Sequence, residues 1–220
     1  LVRLNVDGTL DTGFSANRGV GPQNAAQTSP AIIRTAEVLS DGKILVAGTF
    51  ERFDGLATSR VARINSDGTL DTGFVAPTIT NSTSVNIYDV AETSDGDYII
   101  VGQFNSVDGT TRNNIARLNS DGTLDTGFDP GTGADNIVHS VMVQGNDEVV
   151  IGGAFDNYDG VGRIALARLE ADGSLDTAFE VTEITGGSSY VYEIEPGNVS
   201  SELYIFGFFS GTSTRVEKVL

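Results

Sequence analysis

The sequence predicts an all-β repeat protein, on three observations. One string of about fourteen residues occurs four times along the chain. Each later copy is preceded by a short apolar, β-branched run entered through an Asp-Gly or Asn-Asp turn. Helical periodicity, with apolar residues three and four apart over successive turns, is nearly absent.

The returning string is LVRLNVDGTLDTGF at 1–14, RVARINSDGTLDTGF at 60–74, NIARLNSDGTLDTGF at 114–128 and LARLEADGSLDTAF at 166–179. Its closing aromatic is Phe14, Phe74, Phe128 and Phe179, giving periods of 60, 54 and 51 residues. Self-similarity at such a period marks an array of supersecondary units. Ahead of the copies stand SDGKILVAGTF (40–50), SDGDYIIVGQF (94–104), GNDEVVIGGAF (145–155) and a divergent SSELYIFGFF (200–209). Their β-branched content and the Gly near each end read as buried strand. Further upstream IIRTAEVL (32–39), VNIYDVAE (85–92), IVHSVMV (137–143) and YVYEIE (190–195) alternate with a two-residue period. Each unit therefore offers strands a, b and c, and a fourth segment d within TLDTGF.

The c-to-d turn fixes its own register. A three-residue loop Ser66-Asp67-Gly68 sets Asn65 opposite Thr69, Ile64 opposite Leu70 and Arg63 opposite Asp71. Apolar then meets apolar and charge meets counter-charge, whereas a two-residue loop would oppose Ile64 with Asp71. The same rule pairs Arg3 with Asp11, Arg117 with Asp125 and Arg168 with Asp176. Because that hairpin keeps c and d together, units break after d, where the connections vary in length and are rich in Pro, Gly, Ser and Asn. The organisation is a c-d fragment at 1–14, repeats at 15–74, 75–128 and 129–179, and a truncated repeat at 180–220, in one structural domain. Four-stranded antiparallel units of this length fit the blades of a β-propeller, or an arc of one, better than a β-solenoid or a sandwich.

The motifs "DGKILVAGTF", "FDG" and "ARLNSDGTLDTGF" resemble the delta-60 repeat family of bacterial propeller-like repeats, over essentially the whole chain. The resemblance implies architecture and export, in large secreted or surface proteins, more than any activity. The last copy departs from the pattern: it lacks FDG, and no DGTLDTGF hairpin follows Val216-Glu217-Lys218-Val219-Leu220. The 1–14 fragment is then expected to complete the last blade, to belong to an arc of a larger ring, or to meet a neighbouring molecule.

Thirty Asp and Glu against 13 Lys and Arg give a formal charge of -17, a poor surface for nucleic acid. Zero Cys excludes disulfides and thiolate sites, and one His with no Cys excludes the usual zinc sites. No apolar run reaches the length of a membrane span.

Two sets of residues are candidates for chemistry. The c-to-d loops gather carboxylates at Asp7, Asp11, Asp67, Asp71, Asp121, Asp125, Asp172 and Asp176, which suits Ca²⁺, although an Asx-rich hairpin with an Arg-Asp pair explains the same residues without metal. The b-to-c loops place Phe53, Arg60, Arg112, Tyr158 and Arg163 on one expected rim, as a ligand or glycan surface or as plain turn chemistry. His139 reads as structural, and Tyr190, Tyr192, Tyr204, Phe206, Phe208 and Phe209 as core or interface. Gly48, Gly102, Gly152 and Gly207 read as packing or bulge glycines. No carboxylate differs from its copies in other repeats, so the sequence points away from an enzyme. It favours a non-catalytic extracellular or cell-surface module with protein partners or self-assembly, such as an adhesin, filament or virion component. The alternative is a carbohydrate- or ligand-binding propeller, with calcium as its candidate ion.

Overall fold

The computed structural model describes residues 1–14, 31–82, 84–182, 184, 188–197 and 202–210, with 20–21 and 216–219 described as backbone only. Among the described residues the regular structure is antiparallel sheet, and no helix is long and apolar enough to cross a membrane.

Four blade sheets of three strands each follow one another, with smaller sheets built on the b-to-c hairpins between the second and third strands of the first three. The first pairs Ile33–Val38, Ile44–Gly48 and Val61–Ile64; the second pairs Asn86–Glu92, Tyr98–Gln103 and Ile115–Leu118. The third pairs Val138–Val143, Val149–Gly153 and Leu166–Leu169; the fourth pairs Tyr190–Pro196, Leu203–Phe208 and Val216–Val219. The first strands of successive sheets converge on one another, so they are the inner strands of blades.

The middle strands explain the core. Ile99 and Val101 point into a cluster shared with the third blade, while Tyr98 and Ile100 point into one shared with the first. In the first blade Leu45 and Ala47 join the cluster shared with the second blade, and Val46 joins one containing Phe50 and Phe53. Both faces of the middle strands in the first three blades are buried, which is why these strands read as unbroken apolar runs, whereas burial alternates along Leu203–Phe208 of the fourth. A buried Ile or Val contributes about 1.5–3 kcal/mol, so most stability lies between blades.

The c-to-d turn forms with the expected register. Ile64 bridges Leu70, Asn65 N–H donates to the Thr69 carbonyl at 2.8 Å, and Gly68 adopts φ +86°. Leu4 with Leu10, Leu118 with Leu124 and Leu169 with Leu175 repeat the bridge. The fourth segment is nevertheless a single bridge and not a ladder. Asp71 Oδ1 accepts the Gly73 N–H at 2.9 Å and the Phe74 N–H reaches the Asp71 carbonyl at 3.2 Å, so the chain turns away after one pair and sends Phe74 into the core.

This corner also ties blades together. Arg63 donates to Asp71 at 2.7 Å, lies 5.2 Å from the Phe74 ring centre, and bonds the Ser120 carbonyl in the next blade's turn. Arg3 repeats this with Asp11, Phe14 and the Ser66 carbonyl, and Arg117 with Asp125, Phe128 and the Ala171 carbonyl. The Val75 N–H donates to the Asp121 carbonyl at 2.7 Å, and Asp129 N–H to that of Asp172. Residues 1–14 thus seat on the first blade as if they were the outer part of a preceding one, with Leu1 against the cluster of Phe50 and Phe53.

Candidate functional site

A bulge recurs at one place in every inner strand. Ile33 pairs with Gly48 and Thr35 with Ala47, which leaves Arg34 as the extra residue. The same shift leaves Tyr88, His139 and Tyr192 in the following blades. The cause lies across the ladder. A Cβ on Gly48, Gly102, Gly153 or Gly207 would overlap the carbonyl oxygen of Ile32, Asn86, Ile137 or Tyr190, so only glycine admits the close approach that a bulge needs. In the third blade that glycine is Gly153; Gly152, taken from the sequence, instead faces Val191 of the fourth blade.

The four bulge residues form a continuous row. The Arg34 guanidinium sits 4.8 Å from the Tyr88 ring centre. Tyr88 meets His139 edge-on at 5.0 Å, and His139 meets Tyr192 at 5.5 Å. Tyr192 continues to Tyr190 at 4.7 Å, which stacks on Phe208 at 5.4 Å. Such contacts are favourable edge-to-face and cation–π geometries. Tyr192 and Phe208 remain 56% and 40% exposed, so the row offers ring surface to an incoming group. Burial, with the Arg34 charge adding to it, holds the His139 pKa below its usual value, so the imidazole is neutral at pH 7.

One residue further along each inner strand, polar groups join the blades. Asp89 Oδ1 accepts from the Thr35 hydroxyl at 3.1 Å, and Asp89 Oδ2 from Val141 N–H at 3.0 Å and the Ser140 hydroxyl at 3.3 Å. Ser140 Oγ accepts the Ile194 N–H at 3.2 Å. Burial raises the Asp89 pKa despite these bonds. Beside it opens a hollow of about 330 Å³ lined by Glu37, Asp89, Glu92, Ser140, Glu193 and Glu195. Glu37 accepts the Glu92 N–H at 3.2 Å through one oxygen, while its other oxygen is buried without a partner. Burial, with Asp89 and Glu92 adding like charge, pushes Glu37 up to about 7.

The rim candidates are placed differently from expectation. Phe53 and Tyr158 are fully buried, and the Tyr158 hydroxyl donates to the Gly173 carbonyl at 2.9 Å, so neither ring faces a ligand. Each belongs to a tight hairpin, Arg52–Phe53 with Leu56–Ala57 and Asn157–Tyr158 with Val161–Gly162, that folds back onto the blade. Asp54 with Gly55, and Asp159 with Gly160, supply the two positive φ angles of a type I′ turn. Arg112 is buried against the Phe128 carbonyl, and Arg163 reaches the Gly162 and Thr177 carbonyls. Arg60 is not their counterpart. Its N–H bonds the Phe50 carbonyl as those of Asn114 and Ala165 bond Phe104 and Phe155, and its guanidinium pairs with Glu51 at 3.0 Å.

The carboxylates proposed for calcium are engaged within their own turns. Asp7, Asp67 and Asp121 each accept both the N–H and the hydroxyl of Thr9, Thr69 and Thr123, and Asp172 does so with Ser174. Asp11, Asp71, Asp125 and Asp176 hold the arginines. Among the described residues no three His, Asp or Glu side chains converge as a metal site.

Sequence reasoning missed the row, although its signal was present. Counting back from each conserved-looking Phe to its Gly, and across to the inner strand, gives Arg, Tyr, His and Tyr at one position in an otherwise repetitive chain.

The sequence profile described as "Domain of unknown function (DUF5122) beta-propeller" matches residues 1–14, 39–74, 93–128 and 144–179, more than half of the chain. No curated protein sequence matches. Among solved structures, the WD40 β-propeller domain of Doa1 superposes with a TM-score of 0.51 at 14% identity, over 82% of this chain and 49% of that one. A catalytically inactive virginiamycin B lyase from Staphylococcus aureus with quinupristin gives 0.55 at 16%, over 99% and 68%. PorZ, a surface component of the type-IX secretion system of Porphyromonas gingivalis, gives 0.50 at 16%, over 91% and 28%. The chain thus spans about half of the first of these proteins, and the likeness is one of β-propeller fold.

Proposed function

The chain belongs to the DUF5122 β-propeller family, and from that premise we propose that it is a non-catalytic interaction module, with repeats of the delta-60 kind, that holds a basic protein segment over its inner strands outside the cell or at its surface. The observation that carries this is the bulge row, where one structurally uniform position holds Arg34, Tyr88, His139 and Tyr192. The turn glycines and the Arg–Asp pairs of the fold are repeated in this chain, whereas this position varies among Arg, Tyr and His.

The chemistry favours a cation. Ring faces attract positive charge, and Arg34 on Tyr88 already provides an internal instance. Glu193 and Glu195 stand exposed beside Tyr192, next to the acidic hollow, and the net charge of -17 steers basic partners toward the protein. The extracellular setting rests on the delta-60 resemblance.

Fluorescence anisotropy with an arginine-rich nonapeptide tests the reading, with a glutamate-rich peptide as control. Saturable binding that weakens about tenfold in Tyr192→Ala supports it. Equal binding by Tyr192→Ala would show only unspecific attraction to an acidic surface and would overturn the role of the row.

A further inference from the structure

A second concave feature lies outside the row, at the rim where the second blade's middle strand ends. It is a cleft of about 760 Å³ between the second blade and the segment leading into the third. That volume lies within the ~300–1,000 Å³ typical of small-molecule sites. Its wall is built largely from neutral amides, among them Gln103, Asn105, Asn113, Asn136 and Asn157.

Those amides retain hydrogen-bonding groups that the fold leaves open. Among the described residues Gln103 uses its oxygen for Ser84 and Asn86 and keeps its nitrogen free, and Asn136 uses its oxygen for the Ile137 N–H and keeps its nitrogen free. Asn113 and Asn157 spend their nitrogens on the Thr132 carbonyl and Asp135 Oδ2, leaving both oxygens open. The Asn105 side chain makes no hydrogen bond among the described residues. Asn114, on the same wall, by contrast engages both its nitrogen, on the Ala134 carbonyl, and its oxygen, on the Phe104 N–H.

The repeats supply an internal control. At the positions of Gln103, Asn105 and Asn113 the first blade has Thr49, Glu51 and Ser59, and the third has Ala154, Asp156 and Ile164. The shared backbone therefore does not require amides there. The second blade alone of the three carries them, and they converge on one cleft.

We infer that this cleft binds a neutral oligosaccharide. Sugar hydroxyls both donate and accept, and the open groups comprise amide nitrogens and amide oxygens side by side. No Lys, Arg or His lines the cleft, so a phosphate, sulfate or uronate would find no counter-charge on a chain of net -17. The one carboxylate on the wall, Asp135, is already held by the Asp156 and Asn157 N–H groups and the Asn157 amide. The inference shares the idea of a binding module with the proposed function but not its site.

Calorimetric titration of the intact protein with cello-, laminari-, malto-, manno- and xylohexaose tests it, with oligogalacturonate as the anionic control. The expected result is saturable binding of at least one neutral hexasaccharide, weakened about tenfold or more by Asn105→Ala and abolished by Asn105→Leu, with unchanged melting temperature in the alanine variant. Tyr192→Ala should bind as the parent does, which separates this site from the row. Silence across the neutral panel, equal affinity for oligogalacturonate, or an Asn105→Ala variant with parental affinity would each overturn it.

Discussion

Replacing Arg63 by Ala should cost far more than the same replacement of Arg3, although both arginines hold an Asp, cover a Phe ring and bond a carbonyl of the following turn. Arg63 and Asp71 have side chains only 10% and 13% exposed, and Arg63 also bonds the Tyr98 hydroxyl at 3.1 Å. Removing one partner of a buried pair costs about 3–5 kcal/mol. Here Lys43 stays on Asp71 at 3.0 Å and softens the loss, so about 2–4 kcal/mol is expected. Arg3 is 43% exposed, and exposed pairs contribute about 0–1 kcal/mol. Urea unfolding followed by near-UV circular dichroism of the tyrosines measures both. Against a total of about 5–15 kcal/mol, the Arg63 effect is a large fraction of the whole. Arg63→Met, which keeps an aliphatic cover over Phe74 but not the charge, should fall between parent and Ala. Equal losses at positions 3 and 63, or a loss below about 1 kcal/mol at Arg63, would refute the view that burial of this corner joins successive blades.

Glu37 should make stability depend on pH near neutrality. Its folded pKa is raised to about 7 from 4.5, so the folded form carries no penalty below pH 4.5 and becomes progressively less stable as pH rises through 7. After allowance for its partial exposure this amounts to about 1–2 kcal/mol, and Glu37→Gln should remove that slope in melts taken between pH 5 and 8. Gly102→Ala should cost about 1–3 kcal/mol by driving a methyl into the Asn86 carbonyl, and should alter the near-UV signal of Tyr88; a silent substitution would mean the bulge does not need glycine. Because the turn carboxylates are held by their own threonines and arginines, chelation with EDTA should shift the melting temperature by less than about 2 °C. A larger fall would assign a bound cation to those loops.

The register of the c-to-d turn was legible because its information is local: residues within eight positions carry both the apolar pair Ile64 and Leu70 and the charge pair Arg63 and Asp71. The length of the fourth segment was less legible. Alternation in TLDTGF suits a strand, but the Asp71 side chain competes for the backbone two residues on and ends it. The glycines pointed to a bulge or to close packing, but the inner-strand residue that the bulge expels was hidden for a different reason. IIRTAEVL alternates well on its own, and an extra residue becomes visible only when its partner strand is laid beside it. Phe53 and Tyr158 misled because an aromatic before Asp-Gly looks like a loop tip, while the hairpin it begins is long enough to fold inward. Arg60 misled by type alone, since its place in the chain matches Asn114 and not Arg112.

The glycine beneath each bulge separates two demands that usually compete. The residue that follows its ladder partner leaves the strand ladder, so that side chain takes no part in pairing or in the packing between middle strands. Arginine, tyrosine and histidine all occupy that place on the same backbone. The blades therefore behave as interchangeable sockets, each accepting a new side chain without renegotiating the fold. Shuffling these four residues among blades should redraw what the surface recognises while moving the melting curve only by the change in their contacts with one another.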